Sequence, residues 1–223
     1  MLSLAQGKKL VKLARKSIES FFEGKKLEYE KEKKEFDKPK GVFVTILEWP
    51  SKRLRGCIGF PKPIKPLADA VVEASKAAAF ADPRFIPLKK EELSSVIFEV
   101  SVLTEPKLIE AKPQELLKEI EIGKDGLIVE LAGFSGLLLP QVALEYGLNS
   151  LEFLRATCIK AGLPAEAWIN PKCKVYKFQA QIFSETKPKG NVIEKTEARK
   201  ERKSKGKRSE KGKGKKARKK VKK

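Results

Sequence analysis

The residues best suited to chemistry in this chain lie together at 53–60, Arg-Leu-Arg-Gly-Cys-Ile-Gly-Phe. Cys57 sits between Gly56 and Gly59, with Arg55 two positions upstream. Thiols react as thiolates, and a nearby guanidinium or inward-pointing backbone N–H groups lower the thiol pKa. Arg55 is placed to supply that charge. Gly56 and Gly59 allow the backbone close to a ligand and can present N–H groups as an anion-binding concavity. On this reading Cys57 is a nucleophile or redox thiol in a glycine-flanked bend, more reactive than the other cysteines. The alternative is a buried, inert thiol filling a tight turn, because free cysteine is among the most buried residue types. The chain has no histidine. That removes the imidazole base usual in thiol and serine enzymes and leaves carboxylates for acid–base work.

Three further side chains could complete such a site. Arg84, within Asp82-Pro83-Arg84-Phe85-Ile86-Pro87, can hold a carboxylate or phosphate through two parallel N–H bonds, or it can pair with Asp82 to tidy the turn. Glu99 is the candidate acid or base. With Ser101 it either lines a cleft or forms the solvent face of a strand. Gln141, after Leu139-Pro140, either donates to a ligand from a helix start or caps that helix. The reading is therefore Cys57 and Glu99 for chemistry, with Arg55, Gly56, Gly59, Arg84 and Gln141 for substrate binding. No metal is expected, since Cys57, Cys158 and Cys173 lack the paired spacing of a thiolate zinc site. No phosphate-cradling or dinucleotide-binding glycine motif follows a strand, and the cofactor is left unknown.

Hydrophobic periodicity supplies the elements that must position these residues. Residues 3–23 read as an amphipathic helix capped by Ser3 and stopped by Gly24, with Leu10, Val11, Ala14, Ile18 and Phe21 facing a core. The Lys/Glu-dense stretch 25–40 reads as a solvated helix or loop. Residues 41–49 read as a strand. Pro61, Pro63 and Pro66 keep the chain extended up to an Ala-rich helix over 67–80. A second strand covers 95–103, and a short helix lies near 113–119. A hairpin of 126–131 and 135–139 turns at Ala132-Gly133-Phe134. Helices open at Pro140 and span 149–161, and 174–183 alternates as a half-buried strand. Strands mix with helices without a βαβ rhythm, which predicts an α+β fold around a mostly antiparallel sheet with flanking helices.

Charge divides the chain. Lys and Arg number 49 against 29 Asp and Glu, a net +20. Residues 184–223 hold 19 of the basic and 5 of the acidic residues, a net +14, leaving residues 1–183 at +6. The expected organisation is a folded unit over 1–183 and a disordered lysine-rich tail over 184–223, which has too few apolar side chains to offset the entropy of ordering. Such a tail would bind RNA or DNA without sequence preference, or merely solubilise the chain. Three widely spaced cysteines argue against a disulfide framework. With no signal-like segment and no apolar run of about 18 residues, a cytoplasmic protein with no membrane association is expected. The Lys/Glu-rich, Asn/Gln/Met-poor composition suits a thermophile.

Several blocks resemble one family. Leu-Arg-Gly-Cys-Ile-Gly at Leu54–Gly59, Ala78-Ala79-Phe80-Ala81-Asp82-Pro83-Arg84-Phe85, Glu99-Val100-Ser101-Val102-Leu103, Leu139-Pro140-Gln141-Val142-Ala143, Cys158-Ile159-Lys160-Ala161-Gly162-Leu163 and Trp168 match the AMMECR-type domain in order, across roughly residues 4–183. The resemblance implies an α+β domain of two unequal lobes, with the hallmark motif beside the cleft between them. It implies no settled activity. Similar microbial domains accompany, or are fused to, Memo-type and radical SAM proteins, which makes those two the partners expected by association.

Overall fold

The structure, a computed structural model, describes residues 1–195. In chain order the elements are α1 (Leu4–Phe22), α2 (Glu30–Glu35), β1 (Val42–Glu48), β2 (Leu54–Phe60), α3 (Leu67–Phe80), β3 (Val96–Leu103), β4 (Lys107–Leu108), α4 (Pro113–Leu116), β5 (Gly126–Leu131), β6 (Phe134–Leu138), α5 (Pro140–Tyr146), α6 (Ser150–Lys160), β7 (Lys174–Phe178), β8 (Ala180–Glu185) and β9 (Val192–Lys195). They build two antiparallel sheets, ordered β2-β1-β3-β8-β9 and β4-β7-β5-β6. The α+β expectation holds.

Local chemistry explains most boundaries. Ser3 and Gln6 form a reciprocal capping box at the start of α1. Gly24 ends it at φ +64°, with Lys25 N–H donating to Ser20 O and Gly24 N–H to Phe21 O, the bonds of a Schellman cap. Alternate residues of the first sheet (Val42, Val44, Ile46; Phe98, Val100, Val102; Phe183) join Leu10, Val11, Ala14 and Ile18 of α1 and the alanines of α3 in one core. A second core gathers Leu127, Val129, Phe153, Leu154, Cys158 and Trp168 around the smaller sheet. Between the two lies a third cluster, in which Phe43 and Leu103 of the first sheet meet Ile128, Leu137, Leu139, Tyr176 and Phe178.

Four expectations need correction. Leu54–Phe60 form strand β2 rather than a bend. Glycine is a poor strand former, but a Cβ on Gly56 would sit 2.1 Å from the Ala78 carbonyl oxygen, so only glycine lets α3 pack this closely on β2. Phe21 does not face the core; it is 56% exposed and lies against Phe80, ring centroids 4.5 Å apart. The 126–138 hairpin turns on two residues, not three: Ala132 and Gly133 both take positive φ, and Phe134 already pairs with Leu131.

The fourth correction moves the end of the folded unit. Residues 184 and 185 close β8, and β9 pairs with β8 through Val192–Glu185 to Lys195–Ile182. Glu185 is buried. Its carboxylate accepts Arg15 Nε at 2.7 Å, Arg15 Nη2 at 2.6 Å and the Phe98 N–H at 3.0 Å. Lysine-rich composition hid these residues because an edge strand tolerates charge. Of the expected disordered tail, residues 196–223 lie outside the described residues.

Candidate functional site

Strand alternation decides which side chains meet. On β2, Gly56 turns to α3, so Cys57 stands on the opposite face. Cys57 pairs with Thr45 of β1, Thr45 with Glu99 of β3, and Glu99 with Ser184 of β8. The next row runs Gly59, Phe43, Ser101, Ile182 and Lys195. Phe43, within that second row, packs with Leu137, Leu139 and Tyr176 of the smaller lobe against the buried cluster of Leu103, Ile128 and Phe178. The polar face carrying Cys57, Thr45, Glu99 and Ser101 is thus the face turned to the second sheet.

Cys57 is half-buried and unbonded to other cysteines. Its Sγ lies 3.2 Å from Thr45 Oγ1. Its backbone N–H donates to Asp82 Oδ2 at 2.9 Å, and its carbonyl accepts Arg84 Nη2 at 3.3 Å. Arg84 closes the arrangement by donating to both Asp82 oxygens, from Nε at 2.9 Å and Nη2 at 2.7 Å. The Arg84 contacts and the Cys57 N–H hold the Asp82 carboxyl down at about 2, against the cost of its burial. The N–H group expected to face a ligand is therefore taken by Asp82. Gly59 serves packing: a Cβ there would lie 2.2 Å from the Val42 carbonyl oxygen.

The expected lowering of the Cys57 pKa is reversed. Burial pushes the thiol up, with Glu99 and Asp82 adding to the rise, while the Thr45 contact and the Arg84 charge pull it part of the way back. At neutral pH the group is a thiol. Arg55 supplies no charge to it. Its guanidinium donates from Nε and Nη2 to the two oxygens of Glu92, at 2.7 and 3.1 Å, and lines a separate cavity with Phe85, Ile86, Lys89 and Glu92. The other thiols are raised too: burial lifts Cys158, and it takes Cys173 to about 11.

Glu99 and Ser101 are not a solvent face; every residue of β3 is buried. Glu99 forms an ion pair with Lys195 through its buried Oε2. Ser101 is 0% exposed, with its Oγ unpartnered. Gln141 does not cap α5, whose N-cap is Leu139 with no side-chain bond; its own Oε1 is buried and unpartnered. The structure thus brings Cys57, Glu99 and Arg84 together and sends Arg55 elsewhere. Sequence reasoning missed Thr45, which only strand pairing places beside the thiol, and Lys195, which it counted in the tail. Asp82 was legible only as a partner for Arg84. Among the described residues no group of three or more His, Cys, Asp or Glu side chains could hold a metal ion.

Two antiparallel sheets joined by a shared apolar cluster, with a half-buried thiol on the facing polar surface, define a two-lobed α+β class of domain. The chain belongs to the AMMECR1 family, whose model matches residues 11–183. It is 48% identical over 196 residues to Protein MJ0810 of Methanocaldococcus jannaschii, covering 87% of this chain and 98% of that one. A Pyrococcus abyssi relative, Protein PYRAB00100, is 50% identical over 195 residues, covering 85% and 95%. The crystal structure of an uncharacterized protein of Pyrococcus horikoshii has a TM-score of 0.81 at 48% identity, covering 86% of this chain and 97% of that one. Among the described residues no helix is long and apolar enough to cross a membrane.

Proposed function

We propose that the domain is an enzyme acting on a small anionic substrate at the polar face around Cys57, between the two lobes. The observation carrying this reading is Ser101, fully buried with no partner for its hydroxyl, one row from Cys57 and Glu99. An unsatisfied buried polar group costs about 1–3 kcal/mol, and a partner supplied by a bound substrate is one reason for such a group to be kept. Arg84, half exposed with its Asp82 partner buried, is the cation available to the substrate's negative group. Glu99, one strand beyond Thr45, is the proton acceptor that replaces histidine. Because the resting thiol is protonated, Cys57 acts as a nucleophile or redox thiol only once its proton has moved to that acceptor.

The test pairs stability with turnover. Ser101→Ala should raise the melting temperature or leave it unchanged. The full chain incubated with a fractionated extract of small metabolites should consume an anionic component that Cys57→Ser leaves intact by mass spectrometry. Destabilisation by Ser101→Ala, together with no consumption, would sink the reading.

A second reading, a partner-binding protein, rests on charge alone. Residues 196–223 contain 16 Lys and Arg against 3 Glu, a segment suited to polyphosphate with steep salt dependence. Gel shifts of the full chain and of a chain ending at residue 195, at two salt concentrations, separate it from the enzyme reading: only the full chain should bind, and only at low salt. The Memo-type and radical SAM partners rest on the family resemblance and are tested by co-purification.

A further inference from the structure

A cavity of about 370 Å³ opens beside the segment that joins α3 to β3, lined by Arg55, Phe85, Ile86, Lys89 and Glu92. It is open to solvent on one side, so a ligand seated there is covered on one face only. Cys57 is not among its lining residues, and the activity proposed above does not use it.

The lining is amphiphilic. Phe85 is half-buried beneath the Arg84 guanidinium, which lies 5.4 Å from the ring centroid. Ile86 is 70% exposed. A branched aliphatic side chain left in water is stabilised by burial, and an apolar body seated against it supplies part of that burial. The charges are unequal. Arg55, 8% exposed, donates two hydrogen bonds to Glu92. The Lys89 ammonium also acts on Glu92, whose carboxyl the two cations hold below its ordinary range, so the lining has two cations against one carboxylate and keeps one positive charge in excess. The Lys89 backbone N–H donates to Glu92 at 2.8 Å, which fixes the start of the lysine side chain at the cavity rim.

One positive charge in excess beside an apolar wall selects a particular ligand chemistry. A neutral apolar molecule leaves that charge unmatched. A dianion such as a phosphate monoester brings its second charge toward Glu92, and like charges at close range repel. We propose that this cavity binds a small monocarboxylate with an apolar body, aromatic or branched aliphatic. The body lies against Phe85 and Ile86, and the carboxylate reaches Lys89. Binding here needs no thiol, so it stands apart from the role given to Cys57.

The experiment is a titration of the full chain, labelled at isoleucine methyl groups, followed by NMR. The probes are 3-phenylpropionate and its neutral match, 3-phenylpropionamide. The acid should shift the Ile86 methyl saturably. The amide should bind about fivefold more weakly, the size expected of one solvent-facing ion pair. Lys89→Gln should bring the acid to the affinity of the amide. No saturable shift at Ile86, equal binding of acid and amide, or an unchanged affinity in Lys89→Gln would each overturn the proposal. The readout is binding at Ile86 rather than turnover, so its failure is distinguishable from failure of the Cys57 reading.

Discussion

Asp82 holds Cys57 by its backbone: the carboxylate accepts the Cys57 N–H at 2.9 Å, while Arg84, bound to that carboxylate, donates to the Cys57 carbonyl. β2 is an edge strand, so these two main-chain groups point where a neighbouring strand would pair. The Asp82–Arg84 unit takes the place of that strand. It blocks edge pairing and fixes the position of the thiol at once.

This clamp should appear in the acid limb of stability. The Asp82 carboxyl lies at about 2, below its ordinary 3.8, so the folded state favours the ionised form. That contribution is complete above pH 3.8 and is lost as pH falls toward 2. Asp82→Asn should cost about 1–2 kcal/mol at pH 7, discounted because Arg84 is half exposed. It should also flatten the decline between pH 4 and 2. Urea melts of both proteins across pH 2–7 measure this, and parallel acid limbs would contradict it.

Cys57 alkylation reports the balance of charges around the thiol. Labelling near pH 7 should be slow and should rise with pH beyond the ordinary thiol range, because burial raises the pKa. Glu99→Gln removes a neighbour that raises it and should speed labelling about two- to fivefold at pH 8. Thr45→Val removes the contact that lowers it and should slow labelling. Rate constants come from timed iodoacetamide reaction with peptide mapping.

Truncation locates the end of the fold. A chain ending at residue 195 keeps Val192, which is buried in the main core, and keeps the Lys195–Glu99 ion pair. Its melting temperature should equal that of the full chain. A chain ending at residue 186 loses β9 and should be less stable by about 2 kcal/mol or more from apolar burial alone. Equal melting of the two truncations would show that β9 adds nothing.

Gly56 tests the packing account of the hallmark motif. Gly56→Ala places a methyl group 2.1 Å from the Ala78 carbonyl oxygen, on helix backbone that cannot move independently. The expected loss is about 1–3 kcal/mol or more, in the range of overpacked cores, read from urea denaturation. A neutral substitution would mean that α3 can shift away from β2.

The sequence by itself determined the elements whose signals are local. Ser3, Gly24 and Gly162 mark helix ends because capping depends on a few adjacent residues, and the alternation in 95–103 marks a strand because its apolar partners recur at period two. In a chain without histidine it singled out Cys57 and Glu99 for chemistry, with Arg55, Gly56, Gly59, Arg84 and Gln141 beside them. Tertiary structure decided the rest. The glycines of 54–59 read as a bend until the close approach of α3 explains them. Arg55 and Cys57 are two residues apart in the chain, yet Arg55 is spent on Glu92, 37 residues away. Thr45 meets the thiol only through strand register. The protonation of Cys57 was set by burial, which depends on what packs around the thiol and outweighs any one neighbouring charge. Lys195 joined the folded unit for the same reason: composition records how polar a segment is, but only strand pairing and a buried Glu99 show where its charge is used.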